Sequence, residues 1–281
     1  MITGSNGMLG RDLTSHLQAR HQVVPADLPQ VDITNLGLLQ PTFASTQPDV
    51  VVHTAAFTAV DDCERRPDLA FQVNAQGARN VALACRSASL PMLYLSTDYV
   101  FDGQKPTPYL EDDLPNPLNV YGRSKLQGER HVTELLPAAW IVRTSWLFGP
   151  WGKNFVRTIL QRAQQGESLR VVDDQIGAPT YTMDLAEKLE QIMMRGKPGI
   201  YHVTNLGYCS WFEFAQEILR QAGLSHVPLF PIPTSASDRP ALRPPNSRLA
   251  HTRLECEGLG LLPPWQDALT RYLLREGHAQ G

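Results

Sequence analysis

Cysteine is scarce in this chain: four thiols in 281 residues, Cys63, Cys85, Cys209 and Cys256, with no two in C-x-x-C spacing. That spacing excludes a disulfide framework, a structural zinc site and a thiol redox pair, and leaves buried or incidental thiols and no expected metal. Charge of one sign is lacking as well. The 25 Lys and Arg stand against 28 Asp and Glu, a formal net charge of -3, so no basic stripe is available for nucleic acid or an anionic membrane. No apolar run approaches the roughly 20 residues of a membrane span, and no basic n-region followed by an apolar h-region opens the chain. A cytoplasmic protein is expected. Internal repeats are absent too.

What is present is enough apolar material, 42% of residues, to bury a sizeable core in two lobes or one large α/β domain. The first half alternates short β-branched runs with amphipathic stretches, the βαβ signature of a parallel sheet. Gln22 to Asp27, Asp49 to His53, Pro91 to Ser96 and Trp140 to Thr144 read as buried strands, each short and apolar with a polar exit. Asp68 to Ala88 reads as a helix, and Asn116-Pro117 as the N-cap and first turn of another that runs to about Leu136. In the second half Asn154 to Gln165, Tyr181 to Arg195 and Ser210 to Gly223 look helical. Gly199 to Asn205 looks like a further strand, and Pro228 to Pro245 like a proline-rich connection. The expected fold is α/β, a Rossmann-type doubly wound parallel sheet with a smaller C-terminal substrate-binding lobe. Residues 1–150 form the dinucleotide-binding part and 151–281 mainly the lobe, with about 176–206 returning to the sheet.

Thr3-Gly4-Ser5-Asn6-Gly7-Met8-Leu9-Gly10 runs directly into a helical stretch. Glycines where a strand turns into a helix let a pyrophosphate approach the helix N-terminus. A lone glycine triplet is a weak signal, an even bet against an ordinary tight turn. Asp27 strengthens it, because it ends the next strand, where an acid meets the adenosine ribose hydroxyls. Asp32, Ile33 and the small-residue turn Ala55-Ala56-Phe57-Thr58 fall at later strand exits. The cofactor site is therefore expected from Gly4, Asn6, Gly7, Met8, Leu9, Gly10, Asp27, Asp32, Ile33, Ala55, Ala56 and Thr58. NADPH or NADH is the expected cofactor; the Asp27 charge disfavours a 2′-phosphate. Only Met1-Ile2 precede Thr3, whereas a central first strand normally needs about 5 residues, so that strand is expected to be clipped at its start.

Tyr121-Gly-Arg-Ser-Lys125 lies downstream of the strand-like Leu93-Tyr-Leu-Ser-Thr97. Tyrosine and lysine four apart share a helix face, so the ammonium is expected to lower the phenol's pKa from its usual value of about 10. Each residue has an ordinary alternative: Thr97 a strand-end cap, Lys125 a solvated partner of Glu129, Tyr121 a packing residue. Their order behind a glycine loop and a Ser-Thr strand exit favours catalysis.

Together with Thr54 to Asp61, Ser96 to Gly103, Arg143-Thr-Ser-Trp146, Asp174 to Thr180 and Arg243 to Leu249, these segments make nearly the whole chain resemble the extended short-chain dehydrogenase/reductases, and within them the dTDP-4-dehydrorhamnose reductases. The resemblance implies a catalytic triad of Thr97, Tyr121 and Lys125, the latter two also touching the cofactor. Thr97, Asp98, Tyr99, Tyr121 and Trp146 would then line a nucleotide-sugar pocket where a C4 ketone is reduced. Thr97 would donate to the ketone oxygen and Tyr121 would protonate it. Trp146 has packing as its alternative. Phe57 stands where the family more often has histidine. Dehydratases of the superfamily carry Asp-Glu after the strand-exit threonine; here Tyr99 replaces the glutamate, which favours plain reduction. The rival from another class is a dinucleotide-binding partner similar to the methionine adenosyltransferase β subunit. The expected small-molecule partner is a nucleotide sugar, with a homodimer left open and neither nucleic acid nor membrane expected.

Overall fold

The computed structural model describes residues 1–278. In chain order the strands are β1 (Ile2–Thr3), β2 (Pro25–Ala26), β3 (Val51–His53), β4 (Met92–Thr97), β5 (Trp140–Thr144), β6 (Leu147–Phe148), β7 (Leu169–Val172), β8 (Ile176–Gly177), β9 (Thr180–Tyr181), β10 (Gly199–His202), β11 (Cys209–Ser210) and β12 (Leu229–Ile232). The α-helices are α1 (Met8–Leu17), α2 (Leu36–Thr46), α3 (Val60–Arg65), α4 (Pro67–Phe71), α5 (Ala78–Ser87), α6 (Val120–Leu135), α7 (Phe155–Gln164), α8 (Thr182–Arg195), α9 (Trp211–Gln221), α10 (Thr252–Cys256) and α11 (Trp265–Arg275). Six strands form one parallel sheet in the order β10-β5-β4-β3-β1-β2.

Alternation along the strands distributes the core between two helix layers. Val51, Met92, Tyr94 and Ile141 pack with Leu39, Val81 and Val132 of α2, α5 and α6. Their neighbours Val52, Leu93 and Val142 pack on the other face with Leu13, Leu185 and Leu189 of α1 and α8. Helices on both faces explain why these strands are continuously apolar. The chain runs from β1 out to β2, then crosses back to place β3 on the other side of β1. Such a reversal opens a crevice beyond the carboxyl ends of the strands. The central strand is short, as expected from the sequence, yet it is paired on both sides: Ile2 lies opposite Pro25 and Val52, and the Met1 ammonium donates to the Val50 carbonyl at 2.8 Å.

Several local expectations are corrected. Asn116 and Pro117 lie in an irregular segment; α6 is capped by Asn119, whose side chain accepts the Gly122 N–H at 2.8 Å. The Asp68 to Ala88 helix is interrupted by a π-helical turn, Gln72–Gly77, that joins α4 to α5. Only Pro25–Ala26 of the Gln22 to Asp27 stretch pairs as strand. The proline-rich connection contains β12, parallel to β7.

Beyond the sheet a second core gathers Ile159 and Leu160 of α7, Phe214 and Ile218 of α9, and Leu269 and Leu273 of α11. The chain enters this region after β6 and leaves it for α8 and β10. Leu254 and Leu259, late in the chain, pack back against the sheet. Among the described residues no helix is long and apolar enough to cross a membrane.

Gly128 of α6 sits against the Tyr94 side chain of β4 and the π-helical turn. A Cβ at Gly128 would sit 2.3 Å from the Tyr94 hydroxyl oxygen and 2.6 Å from the Asn74 carbonyl oxygen. Gly128→Ala should therefore destabilise the protein by about 1–3 kcal/mol, the range for overpacking a filled core. Urea denaturation of variant and parent checks this, and coincident midpoints would show that the helix has room to spare.

Candidate active site

The crevice at the strand reversal is a cavity of about 650 Å³ that brings together residues from both halves of the chain. On its dinucleotide side, Gly4 adopts φ 73° and its missing Cβ would fall 2.6 Å from the Ala55 backbone. A Cβ on Gly10 would fall 2.1 Å from the Gly4 carbonyl oxygen. Side chains are thus sterically barred where the loop meets the β3 exit and the start of α1. Gly7 precedes α1 without any side-chain cap, leaving the first amides of that helix free for an anion. Gly4, Gly7, Met8, Leu9, Gly10, Asp27, Asp32, Ile33, Ala55, Ala56 and Thr58 all line the cavity. These features fit a nicotinamide dinucleotide.

Asn6 is not on that wall. It is exposed, and its backbone N–H donates to Asp27 Oδ2 at 2.8 Å, while Asp27 Oδ1 accepts the Leu28 N–H at 2.8 Å. Asp27 therefore pins the glycine loop as well as lining the cavity. Asp32 turns its carboxylate onto the Thr34 N–H and hydroxyl, both at 2.8 Å. Phe57 packs beside Cys63, Ala70 and Val120, and its backbone bonds the Asn74 side chain.

On the opposite wall stand Thr97, Asp98, Tyr99, Tyr121, Lys125 and Trp146. Thr97 ends β4, and the following turn is capped by its hydroxyl, which accepts the Tyr99 N–H at 3.2 Å and donates to Asp98 Oδ1 at 2.9 Å. Tyr99 meets Tyr121 edge to face at 5.9 Å. Lys125 is 3% exposed, so it is not a solvated surface lysine. Its ammonium donates to the Leu95 carbonyl at 2.7 Å and lies 4.1 Å from the centre of the Tyr94 ring. Glu129 pairs instead with Arg143, in two bonds of 3.0 and 2.8 Å inside the core. Trp146, at φ 47°, stacks on Trp211 with ring centroids 3.5 Å apart.

Burial governs the acidities. It pushes the Tyr121 phenol up, with the Thr97 hydroxyl acting against the rise. It brings the Lys125 ammonium down to about 7, opposed by Glu129. The expected depression of the phenol by the lysine is therefore absent: desolvation outweighs attraction, and the lysine charge is spent on the Leu95 carbonyl. Asp98 is driven up to about 7 by burial, with the Ser247 and Thr97 hydroxyls opposing.

Sequence reasoning missed Asn74, held in the π-helical turn. Its side chain accepts the Phe57 N–H at 2.7 Å and donates to the Phe57 carbonyl and the Ser124 hydroxyl, both at 3.0 Å. It ties the β3 exit to the residue before Lys125. No local pattern reveals such a link; only the interruption of a helix by polar residues hints at it. Trp211, from α9, was missed for the same reason of distance. Ser96 Oγ, Thr144 Oγ1 and Asp98 Oδ2 are buried on cavity-lining residues with no protein partner. Unmet polar groups of this kind await a ligand or water. Among the described residues no cluster of His, Cys, Asp and Glu is arranged to hold a metal ion.

A crevice bounded by glycines at the reversal of a parallel sheet is built for a dinucleotide, and a tyrosine–lysine helix across from it makes the molecule an oxidoreductase of the short-chain dehydrogenase/reductase class. Within that class the chain belongs to the family described as the RmlD substrate binding domain, whose model matches residues 1–277. It is 43% identical to a dTDP-4-dehydrorhamnose reductase of Streptomyces griseus over 96% of this chain and 91% of that protein. It is 40% identical to the spore coat polysaccharide biosynthesis protein SpsK of Bacillus subtilis over 99% and 98%. Among solved structures, the dTDP-4-dehydrorhamnose reductase of Bacillus anthracis in complex with NADP superposes with a TM-score of 0.95 at 41% identity, covering 98% of each chain.

Two outcomes follow from this geometry. Asp27→Ala removes both a loop pin and a negative charge at the crevice. NADH affinity should fall about tenfold, the scale of a lost charge-assisted hydrogen bond, and NADPH affinity less; fluorescence titration with each coenzyme measures the two, and equal losses would place Asp27 away from the ribose. The second concerns pH. The Asp98 carboxyl is held well above 3.8 in the folded protein, so it weakens the native state progressively as pH rises from about 4 to 7. Lys125, lowered from 10.5 to about 7, gives native stability that increases from about pH 7 to 10. Asp98→Asn should thus melt above wild type at pH 8 and level with it at pH 4 in calorimetry, and a gap independent of pH would show a solvated carboxylate.

Proposed function

We propose that this protein reduces the C4 ketone of dTDP-4-dehydrorhamnose to give dTDP-L-rhamnose, with Thr97, Tyr121 and Lys125 as its catalytic residues. The observation that carries this reading is the convergence of those three side chains on the cavity that the glycine loop opens. A bound NADPH or NADH supplies the hydride. Gly4, Gly7, Met8, Leu9 and Gly10 with the start of α1 would hold its pyrophosphate, Asp27, Asp32 and Ile33 its adenosine, Ala55, Ala56 and Thr58 its middle, and Lys125 its nicotinamide ribose.

The remaining work belongs to the chain. Hydride addition turns the ketone oxygen into an alkoxide, which must be met by a proton as it forms. Tyr121 is the donor: its phenol keeps its proton at neutral pH because burial disfavours the phenolate, and the alkoxide that forms is the base that draws it. Lys125, anchored on Leu95, fixes the geometry from which cofactor and phenol are addressed. Asp98 and Tyr99 face the sugar, and Tyr99 supplies no carboxylate for eliminating water. The stacked pair Trp146 and Trp211 offers a flat apolar wall for the sugar or its base. We assign residues 1–150 with about 176–206 to cofactor binding and the rest of 151–281 mainly to substrate recognition.

Tyr121→Phe keeps the ring and deletes the proton. Turnover of the 4-keto sugar should fall about 10²–10⁴-fold, the range for a lost general acid, with cofactor affinity nearly intact. Steady-state oxidation of NADPH and NADH with dTDP-4-dehydrorhamnose measures it. A wild-type protein that binds dinucleotide but reduces no keto sugar would favour a binding subunit instead.

A further inference from the structure

Each reduction leaves Tyr121 short of one proton, in a site where burial makes the phenolate costly. A phenol in that position needs a reserve acid within the protein. Lys125 is poorly placed for it: its ammonium is engaged by the Leu95 carbonyl and the Tyr94 ring. The Thr97 hydroxyl, by contrast, lines the same cavity as the phenol, favours its ionised form and donates to Asp98 Oδ1 at 2.9 Å. Asp98 is 3% exposed, and its second oxygen has no protein partner.

We propose that Asp98 reprotonates Tyr121 through the Thr97 hydroxyl, so that Asp98, Thr97 and Tyr121 form a proton relay serving the reduction. The inference rests on the function proposed above. In the resting arrangement the single hydrogen of Thr97 points to Asp98 and is unavailable to the ketone. When Asp98 is protonated the polarity reverses: its O–H donates to Thr97 Oγ1, and the Thr97 hydrogen turns to Tyr121. The transfer then balances. Hydride and the Tyr121 proton convert C=O to CH–OH; the Thr97 O–H bond breaks as the phenol O–H reforms; the Asp98 O–H bond breaks as the Thr97 O–H reforms. Asp98 is left as carboxylate and takes its next proton from water. No oxidant or reductant beyond the nicotinamide is involved.

The carboxyl is suited to this. Burial drives Asp98 up to about 7, which leaves about half of it protonated at neutral pH, and it remains a stronger acid than a phenol whose ordinary value is about 10. The groups facing it are consistent with a neutral acid. Tyr99 on the same turn and Tyr121 on α6 are both raised further by its charge. Cys63 of α3 bears on Tyr121, and Arg243 and Arg239 on Tyr99. The Ser247 and Thr97 hydroxyls and the backbone of Asp98 and Tyr99 favour the carboxylate.

The test uses the full-length enzyme with NADPH and the 4-keto sugar between pH 5.5 and 9. Wild-type kcat should decline above a break near 7. In Asp98→Asn, kcat should be about 10- to 100-fold lower and flat through that break, with KM for both substrates changed less than about threefold. Thr97→Val should lose the break in the same way, and Thr97→Ser should restore it. Infrared spectra of the protein alone provide a readout independent of turnover: a protonated-carboxyl band should vanish between pH 6 and 8 and be missing from Asp98→Asn. An unchanged break in Asp98→Asn, a raised KM with kcat intact, or no titrating band would overturn the relay while leaving the reductase reading in place. A wild-type protein inactive on the keto sugar would overturn both.

Discussion

Two glycines of helix α6 leave no room for a side chain where the helix meets Tyr94 of β4 and the turn after that strand, and the site is arranged around these contacts. A Cβ at Gly122 would lie 2.1 Å from the Tyr99 carbonyl oxygen, and one at Gly128 would strike Tyr94. Gly122, Lys125 and Gly128 recur at helical spacing, so the same face that carries the glycines carries the lysine. On this face Lys125 reaches the Leu95 carbonyl, and Tyr121 lines the same cavity as Thr97. Asn119 and Glu64 fix the start of the helix, the first by capping the Gly122 N–H and the second by accepting the Val120 N–H at 2.7 Å. Larger residues at the glycine positions would lift the helix and separate the groups that react.

Close packing also sets the electrostatics, because it removes water from every ionisable group at the contact. Lys125 and Asp98 are displaced in opposite directions to the same region near 7, one on each side of a phenol that burial keeps protonated. Glu129 tempers this: two bonds from Arg143 hold its carboxylate one turn beyond Lys125, where it favours the ammonium. Such a pair contributes little to net stability, since desolvation offsets attraction. Its effect falls on the lysine.

The parts of this arrangement legible in the sequence are those written in short spacing. The glycine loop, the Tyr–Lys step and the Ser-Thr strand exit each lie within a few residues, and alternation of apolar runs carries the parallel sheet. Elements set by distant partners were less legible. The cap of α6 was misplaced from Asn119 to Asn116 because both asparagines precede a plausible start, and only the tertiary fit chooses between them. Asn74 looks like an ordinary helical polar residue until the π-helical turn aims it at Phe57 and Ser124. The direction of the Tyr121 shift was read the wrong way for a related reason. Spacing reports that two groups are near, whereas burial decides which term prevails.

Trp211 joins the cavity wall to a core other than that of the sheet. It begins α9, whose capping box of Ser210 and Glu213 and whose buried face of Phe214 and Ile218 belong to a core separate from the sheet. Its ring nevertheless lies 3.5 Å from that of Trp146, at the edge of the cavity. A Cβ on Gly177 would press to 2.5 Å from the Trp146 ring, so the indole is confined on that side as well. The groups proposed to handle the proton rest on β4 and α6, whereas the Trp211 side of the aromatic wall rests on the other core.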